Sequence, residues 1–218
     1  MRLVEDIFGI VAELQNLPRK GWVDYRIKNP ETVWEHLRDV RRMSRDLGER
    51  FFGAAKAELC ARYGGLHDVT EAIVSDITPH MGVTPRQKYA LEKMAIDHIG
   101  SMSPGGKRIR DYWLEYVEQD NDAAQLVHQV DKLQLAVKCL EYERRNATPY
   151  NLQPLWDSTR ASLRETPLIG ALDVLEKKRP EHAKSKPPLK RRPTTPEMFP
   201  TLYYRAMQKM GYYSTNRP

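Results

Sequence analysis

Apolar side chains recur along most of the chain at spacings of three, four and seven residues, which is the rhythm of an amphipathic helix. The rhythm is clearest between Glu31 and Phe52, where Val33, Leu37 and Val40 fall on one stripe. The strict alternation of apolar and polar positions that is typical of strands is scarce. The sequence therefore predicts an all-α fold.

Proline and glycine residues divide this pattern into segments. The pair Gly64-Gly65 predicts that one helix ends there and another begins, because glycine inside a helix costs about 1 kcal/mol relative to alanine. Thr84 before Pro85 is a typical helix start. The predicted helices cover residues 3–15, 31–52, 54–63, 66–79, 84–100, 107–119, 122–145, 152–165 and 167–179.

The net charge of +6 is unevenly distributed along the chain. The segment from Lys177 to Pro218 carries eleven Lys and Arg against two Glu, a net charge of +9, so the preceding 176 residues carry −3. Composition also becomes Pro-rich beyond Lys178. We therefore predict a compact body over 1–178 and a basic extension over 179–218 that is extended or disordered, with enough aromatic residues near its end to dock.

Composition also indicates the compartment. Cys60 and Cys139 stand far apart and form no CxxC motif, which favours a reducing interior such as the cytoplasm over a disulfide scaffold. No apolar stretch approaches the roughly 20 residues needed to cross a bilayer. The early acidic residues Glu5 and Asp6 favour a first helix over a signal peptide.

Several polar residues interrupt the apolar stripes. His67-Asp68 is followed by Glu71 one helical turn later, and Asp76 lies five residues beyond. His36 lies on the stripe of the earlier helix, and Asp131 lies within a later one. Because a buried imidazole or carboxylate is costly unless it is paired or metal-bound, a shared cation explains these residues economically.

The residue types indicate which cation such a site would bind. Two imidazoles and two carboxylates suit Mn²⁺, Co²⁺ or Zn²⁺ better than Mg²⁺. Each residue also has a simpler interpretation: His36 as a core histidine, His67-Asp68 as a helix-terminal pair, and Asp131 as a surface residue. The metal site is therefore predicted by the four residues as a set.

The order of these residues resembles a known family. His36 in ETVWEHLRDV, then HDVTEAIVSDITP, then LVHQVDKLQLAVKCLEYE are similar to the HD-domain 5′-nucleotidases, which include bacterial 5′-deoxynucleotidases and eukaryotic HD-domain-containing proteins. LPRKGWV, YWLEYVEQ and LWDSTR add to the likeness, which covers roughly residues 5–175. The resemblance implies a compact, usually homodimeric helical fold that removes phosphate from nucleoside 5′-monophosphates.

The resemblance also implies roles for individual residues. His36, His67, Asp68 and Asp131 match the metal ligands. Glu71 matches the acid that assists water attack or leaving-group protonation, and Asp76 matches an acid near the sugar. Arg19 matches a phosphate-binding arginine, and Trp22 an aromatic that packs against the nucleoside. Taken alone, Arg19 could equally be a solvated loop charge, and Trp22 is typical of a core residue.

Two other functions remain open at this point. The first is a deoxynucleoside triphosphate triphosphohydrolase that uses the same site, with Lys88 as a contact for the triphosphate. The second is a scaffold that binds RNA or an acidic partner through Lys190-Arg191-Arg192 and the nearby tyrosines. Such a basic run is more often a solvated tail, so we do not expect nucleic acid as the main partner. The complete ligand set favours an enzyme over a scaffold.

Overall fold

The computed structural model describes residues 6–190 and 198–212. The regular elements in these ranges are helices, apart from one isolated antiparallel bridge between Pro18 and Thr32. The predicted all-α fold is confirmed. Within the described ranges, no helix has both the length and the apolar character needed to span a bilayer.

Twelve α-helices and one short 3-10 turn, Pro79–Met81, are formed by these residues. In chain order the helices are α1 (Ile7–Asn16), α2 (Lys20–Asp24), α3 (Val33–Phe52), α4 (Ala54–Leu66), α5 (Glu71–Val74), α6 (Pro85–Ser101), α7 (Pro104–Glu118), α8 (Asp122–Arg144), α9 (Gln153–Leu163), α10 (Ile169–Glu176), α11 (Glu181–Lys184) and α12 (Met198–Lys209). Helices α3, α4 and α8 pack against one another and form the centre of the fold.

The start of α3 is fixed by a capping box. The Thr32 hydroxyl accepts a hydrogen bond from the Glu35 backbone N–H at 3.2 Å, and Glu35 Oε2 accepts one from the Thr32 N–H at 2.8 Å. The bridge between Pro18 and Thr32 lies directly before this cap. As a result, the Arg19 loop is held close to the first turn of α3, which carries His36.

The prediction of a helix end at Gly64-Gly65 is wrong, because α4 continues through both residues to Leu66. A Cβ atom on Gly64 would lie 2.9 Å from the Ser44 Oγ and 3.1 Å from the Val40 carbonyl oxygen. The missing side chain therefore allows α4 to lie closely against α3. This packing outweighs the helix propensity cost of about 1 kcal/mol.

The buried apolar residues form two clusters that meet near the middle of the chain. The first surrounds α8 and α9 and includes Trp156 and Val40. The second joins α1, α5, α6 and α12 and includes Leu14 and Leu37. Since Leu37 and Val40 both belong to α3, His36 lies on the helix that links the two clusters.

The described parts of the basic extension pack against the body. Leu202 and Ala206 of α12 are buried in the second cluster, and Lys209 Nζ donates to the Ala72 carbonyl oxygen at 2.8 Å. Helices thus form where an extended or disordered segment was predicted, and the aromatic stretch docks. Part of the basic run, Arg191-Arg192, lies outside the described residues, as does Tyr213. The division of the chain at Lys178 stays a prediction.

Candidate metal centre

The four predicted ligands come together from three parts of the fold. His36 Nε2 lies 3.1 Å from His67 Nε2, 3.4 Å from Asp68 Oδ2 and 3.3 Å from Asp131 Oδ1. His67 Nε2 lies 3.3 Å from Asp68 Oδ2 and 3.8 Å from Asp131 Oδ1. The apolar stripe of α3, the end of α4 and the inner face of α8 thus direct four potential ligands to one point.

Hydrogen bonds on the far side of each imidazole orient its ligating nitrogen. The Nδ1 atom of His67 lies 3.0 Å from the Gly64 carbonyl oxygen, and the Nδ1 atom of His36 lies 2.9 Å from Gln134 Oε1. A carbonyl oxygen only accepts, so each Nδ1 carries the hydrogen. Each Nε2 lone pair is then free to bind a cation.

These separations fit one divalent ion. Adjacent ligands around an ion with bonds of about 2.1 Å are roughly 3.0–3.4 Å apart. The two imidazole nitrogens lie 3.1 Å apart and need a positive charge between them, which either a proton or a cation supplies. The residues present therefore fit the metal that the sequence pattern predicts, although the geometry does not select which metal.

The charges of the cluster depend strongly on one another. Burial opposes the charged form of His67, yet Asp68 and Asp131 raise the pKa of His67 to about 10. Burial likewise opposes ionisation of Asp68, but the neighbouring imidazoles and Arg19 hold its pKa well below the usual range. The two carboxylates thus favour positive charge at His67, whether it is a proton or a metal ion.

Glu71 lies at the start of α5 and is 2% exposed. Its Oε2 atom finds no hydrogen-bond partner among the described residues. Burial, together with the carboxylates of Asp68 and Asp76, raises the pKa of Glu71 well above its usual value. Glu71 is therefore a buried carboxyl group beside the ligand cluster whose surroundings favour its protonated form.

Asp76 returns to the site through a turn at Ser75, whose φ of +69° is unusual for a residue with a side chain. Asp76 Oδ2 accepts a hydrogen bond from the Lys20 backbone N–H at 2.7 Å. This contact ties the segment after α5 to the Arg19 loop. Sequence patterns give no signal for the turn, because Ser75 is an ordinary polar residue.

The Arg19 side chain approaches the ligand cluster, with Nη1 3.8 Å from Asp68 Oδ2. It keeps 21% exposure, which leaves its guanidinium open to a ligand. Trp22 is different, because it is only 2% exposed and donates its indole N–H to Glu31 Oε1 at 2.9 Å. The expectation that Trp22 packs against a nucleoside is corrected: the ring is a core residue beneath the Arg19 loop.

Lys88 and Glu92 on α6 form another wall of the site. Lys88 Nζ lies 3.5 Å from Glu92 Oε1. Burial opposes the charge of Lys88, but Glu92 and the carboxylates of Asp68 and Glu71 raise the pKa of Lys88. Lys88 therefore lies within electrostatic reach of the cluster, and its role in binding the substrate stays a prediction. Glu92 was missed, because two charges four residues apart also describe an ordinary exposed helix face.

Tyr116, Gln134 and Glu31 were also missed by sequence reasoning. The Tyr116 ring lies 5.7 Å from the His67 ring, measured between centroids. Gln134 contacts His36 from α8, and its amide nitrogen donates to Glu31 Oε2 at 3.0 Å. The position of Gln134 one turn after Asp131 was an available signal, whereas Glu31 is distant in sequence from its partner.

The sequence of this chain is similar to those of known proteins. Residues 11–167 match the family described as HD domain. The 5'-deoxynucleotidase HDDC2 of Danio rerio is 32% identical over 175 residues, which cover 79% of this chain and 86% of the relative. The 5'-deoxynucleotidase HDDC2 of Dictyostelium discoideum is 33% identical over 177 residues, covering 77% of this chain and 93% of the relative.

A solved structure supports the fold independently. The PH0347 protein from Pyrococcus horikoshii OT3 superposes with a TM-score of 0.61, covering 78% of this chain and 94% of that chain. Its sequence identity of 23% is too low to carry more than the architecture.

Proposed function

Because the chain belongs to the HD domain family, we propose that it is a metal-dependent phosphohydrolase that removes phosphate from (deoxy)nucleoside 5′-monophosphates. Relatives named 5'-deoxynucleotidase that align over most of the chain support this substrate class. The observation that carries the proposal is the convergence of His36, His67, Asp68 and Asp131 on one point. We propose Mn²⁺, Co²⁺ or Zn²⁺ as the ion, because imidazole ligands disfavour Mg²⁺.

When bound, a divalent cation lowers the pKa of water and offsets negative charge on a phosphate. His36, His67, Asp68 and Asp131 would hold it. Arg19 binds the phosphate oxygens in this proposal, since a guanidinium offers a planar fork of donors. Its Nη1 lies 3.8 Å from Asp68 Oδ2, so the guanidinium borders the ligand cluster and can reach a phosphate bound at the cation.

Glu71 handles the proton of the reaction. Burial and the carboxylates of Asp68 and Asp76 raise the pKa of its carboxyl group, which favours the protonated form that a proton donor needs. Glu71 then donates that proton to the 5′ oxygen of the departing nucleoside. Asp76 supports the reaction by orienting the Arg19 loop, through its hydrogen bond to the Lys20 N–H.

The relatives favour this reading over the triphosphohydrolase, because their names specify 5'-deoxynucleotidases. Lys88 then contacts the single phosphate rather than a triphosphate. The same comparison favours an enzyme over a scaffold that binds RNA. A homodimer and a cytoplasmic location remain part of the proposal, on the family resemblance and on the two widely separated cysteines.

The test is phosphate release by purified, metal-stripped protein given dAMP, AMP or dATP with each of Mn²⁺, Co²⁺, Zn²⁺ and Mg²⁺. Asp68→Asn removes a ligand, and Asp46→Asn on the exposed side of α3 is the matched control. We expect orthophosphate from dAMP in the wild type and the control, and none in Asp68→Asn. Triphosphate from dATP would select the triphosphohydrolase instead, and no hydrolysis with any metal would refute both enzymes.

A further inference from the structure

Glu31 is a buried carboxylate that contacts Trp22, next to the Arg19 loop, and Gln134, next to His36. It does not contact the predicted ligands directly. It is 4% exposed. Its Oε1 accepts the indole N–H of Trp22 at 2.9 Å, and its Oε2 accepts the side-chain N–H of Gln134 at 3.0 Å. Its backbone N–H donates to the Tyr142 hydroxyl at 2.9 Å. A carboxylate with this many partners is held in one orientation.

The charge of Glu31 decides which way the Gln134 amide points. An ionised carboxylate can only accept hydrogen bonds, so the amide nitrogen of Gln134 must face Glu31. The amide oxygen is then directed to His36 Nδ1, at 2.9 Å. An oxygen can only accept, and therefore His36 carries its hydrogen on Nδ1.

The tautomer of His36 decides whether it can bind a cation. With the hydrogen on Nδ1, the lone pair of Nε2 points toward His67 Nε2 and Asp131 Oδ1, at 3.1 and 3.3 Å. If the Gln134 amide were reversed, its N–H would face Nδ1 and favour the hydrogen on Nε2. That hydrogen would then occupy the direction in which the cation binds.

The second oxygen of Glu31 connects to the Arg19 loop. Trp22, its partner, belongs to α2, which begins directly after Arg19. The Arg19 backbone N–H also donates to the Glu31 carbonyl oxygen at 3.0 Å. One residue therefore holds the loop of the predicted phosphate-binding arginine and, through Gln134, a predicted metal ligand.

We infer that Glu31 and Gln134 are positioning residues that select the metal-binding tautomer of His36, and that Glu31 joins this selection to the placement of the Arg19 loop. This inference rests on the proposed function, since it concerns the ion of that same site. Glu31 and Gln134 act through His36 and do not touch the substrate.

The first test is Glu31→Gln, with metal affinity measured by calorimetric titration of Mn²⁺ or Zn²⁺ into metal-free protein. The new amide keeps its oxygen toward the Trp22 N–H and turns its nitrogen toward Gln134, which reverses the Gln134 amide. We expect metal affinity to fall about 10- to 100-fold, the usual effect of losing an outer hydrogen-bond partner of a ligand. Wild-type affinity in this variant would overturn the inference.

The second test restores the donor and acceptor pattern by exchanging the two side chains. In the double variant Glu31→Gln with Gln134→Glu, the new amide donates to the new carboxylate, which again presents an oxygen to His36 Nδ1. We expect this exchange to recover most of the lost metal affinity. If the double variant binds no better than Glu31→Gln, the tautomer is not controlled in this way and the inference fails.

Trp22→Phe is the matched control, because it removes the indole N–H and part of the ring on the other side of Glu31 and leaves the contact between Glu31 and Gln134 in place. We expect unchanged metal affinity and a raised KM for dAMP, since the Arg19 loop is loosened while the Gln134 amide stays in place. A loss of metal affinity as large as in Glu31→Gln would contradict the inference, because it would show that any disturbance of the buried network weakens the site.

A spectroscopic measurement reads the tautomer without enzyme activity. In ¹⁵N-histidine spectra of the Zn²⁺-bound protein, we expect His36 Nδ1 to carry the hydrogen in the wild type and in the exchanged double variant. A hydrogen on Nε2 of His36 in the wild type would overturn the inference. Wild-type protein that binds no divalent ion at all would instead refute the proposed function, so the two failures are distinguishable.

Discussion

Two sets of buried charged side chains in this protein differ in how completely they are hydrogen-bonded. One is the metal-centre cluster, formed by the four predicted ligands and Glu71. The other is the Glu143–Arg179 pair, in which Glu143 is 1% exposed and Arg179 is 8% exposed. The first cluster brings carboxylates and imidazoles together at one point, and the second satisfies every charge with a partner.

The Glu143–Arg179 pair is completely hydrogen-bonded on the carboxylate side. Glu143 accepts from Arg179 at both oxygens, at 2.8 and 3.0 Å, and from the Trp156 indole N–H at 3.2 Å. Arg179 also donates to Gln153 at 2.7 Å, and its guanidinium carbon lies 4.7 Å from the centre of the Trp156 ring. This geometry stabilises a structure and presents no open position to a ligand.

The metal-centre cluster lacks such completion. Glu71 Oε2 has no hydrogen-bond partner among the described residues, and the Nε2 atoms of His36 and His67 face each other at 3.1 Å. A buried polar atom without a partner costs stability, and the two nitrogens need a proton or a cation between them. The comparison therefore teaches that the completeness of the hydrogen bonding, more than the burial of charge, distinguishes a structural ion pair from a ligand site.

The largest effect is expected from Asp131→Asn. It removes one predicted ligand charge, and we expect kcat/KM for dAMP to fall at least about 10³-fold, or about 4 kcal/mol. The stability of the metal-free protein, measured as its thermal midpoint, should be affected far less than catalysis. Phosphate release and a thermal melt on the same samples measure both. Activity within tenfold of the wild type would contradict Asp131 as a ligand.

Arg179→Met addresses the other member of the comparison. It leaves the Glu143 carboxylate buried without its cation, and we expect the free energy of unfolding to fall by about 3 kcal/mol. Denaturant titration measures this loss. Arg160→Met is the matched control, because its ion pairs with Asp173 and Glu176 are partly exposed and should contribute no more than about 1 kcal/mol. Equal losses in the two variants would remove the distinction.

Glu71→Gln tests the raised pKa of Glu71 through the pH dependence of stability. The folded pKa of Glu71 lies above the ordinary value of 4.5, so the folded metal-free protein loses stability as pH rises from that value through the raised pKa. Glutamine has no such titration. We expect Glu71→Gln to be more stable than the wild type at neutral pH, on the order of 1–3 kcal/mol, and to show no gain near pH 3.

The same variant should lower kcat about 10²-fold, because the proton donor is lost. Thermal melts of metal-free protein across the pH range, together with kcat at neutral pH, read the two effects separately. A stability difference that is independent of pH would show that Glu71 carries an ordinary pKa.

The smallest expected effect separates the two adjacent glycines of α4. Gly64→Ala places a Cβ atom 2.9 Å from the Ser44 Oγ, and we expect it to destabilise the protein by about 1–3 kcal/mol. Gly65→Ala meets only the flexible Arg41 side chain, at 3.3 Å, and should be neutral or stabilising by up to about 1 kcal/mol. Denaturant titration of both variants checks the order, which a reversed ranking would contradict.

The sequence predicted the features that depend on local pattern. The apolar stripe located α3 to within two residues, and the four residues predicted as ligands are ones that the structure brings together. It failed where a residue's role depends on a distant partner. Gly64 was misread because the reason for a helical glycine lies on α3, whereas Trp22 taken alone already indicated a core residue and only the family resemblance implied a nucleoside contact.

Arg179 gives the clearest case of this limit. By composition it belongs to a basic extension and looks solvated, yet its carboxylate partner Glu143 lies 36 residues earlier in a buried position. A net charge counted along the sequence does not reveal such a pair, because its two members lie far apart in the chain. Only the packing of α8 against the segment after α10 shows that this arginine belongs to the core.

Arg179 and α12 affect how far the chain can be shortened without exposing its core. Both lie beyond residue 167, where the match to the family ends. A gene shortened to that point would leave Glu143 without its cation and would uncover the apolar residues that Leu202 and Ala206 bury. The buried core of this protein thus extends beyond the segment that matches the family.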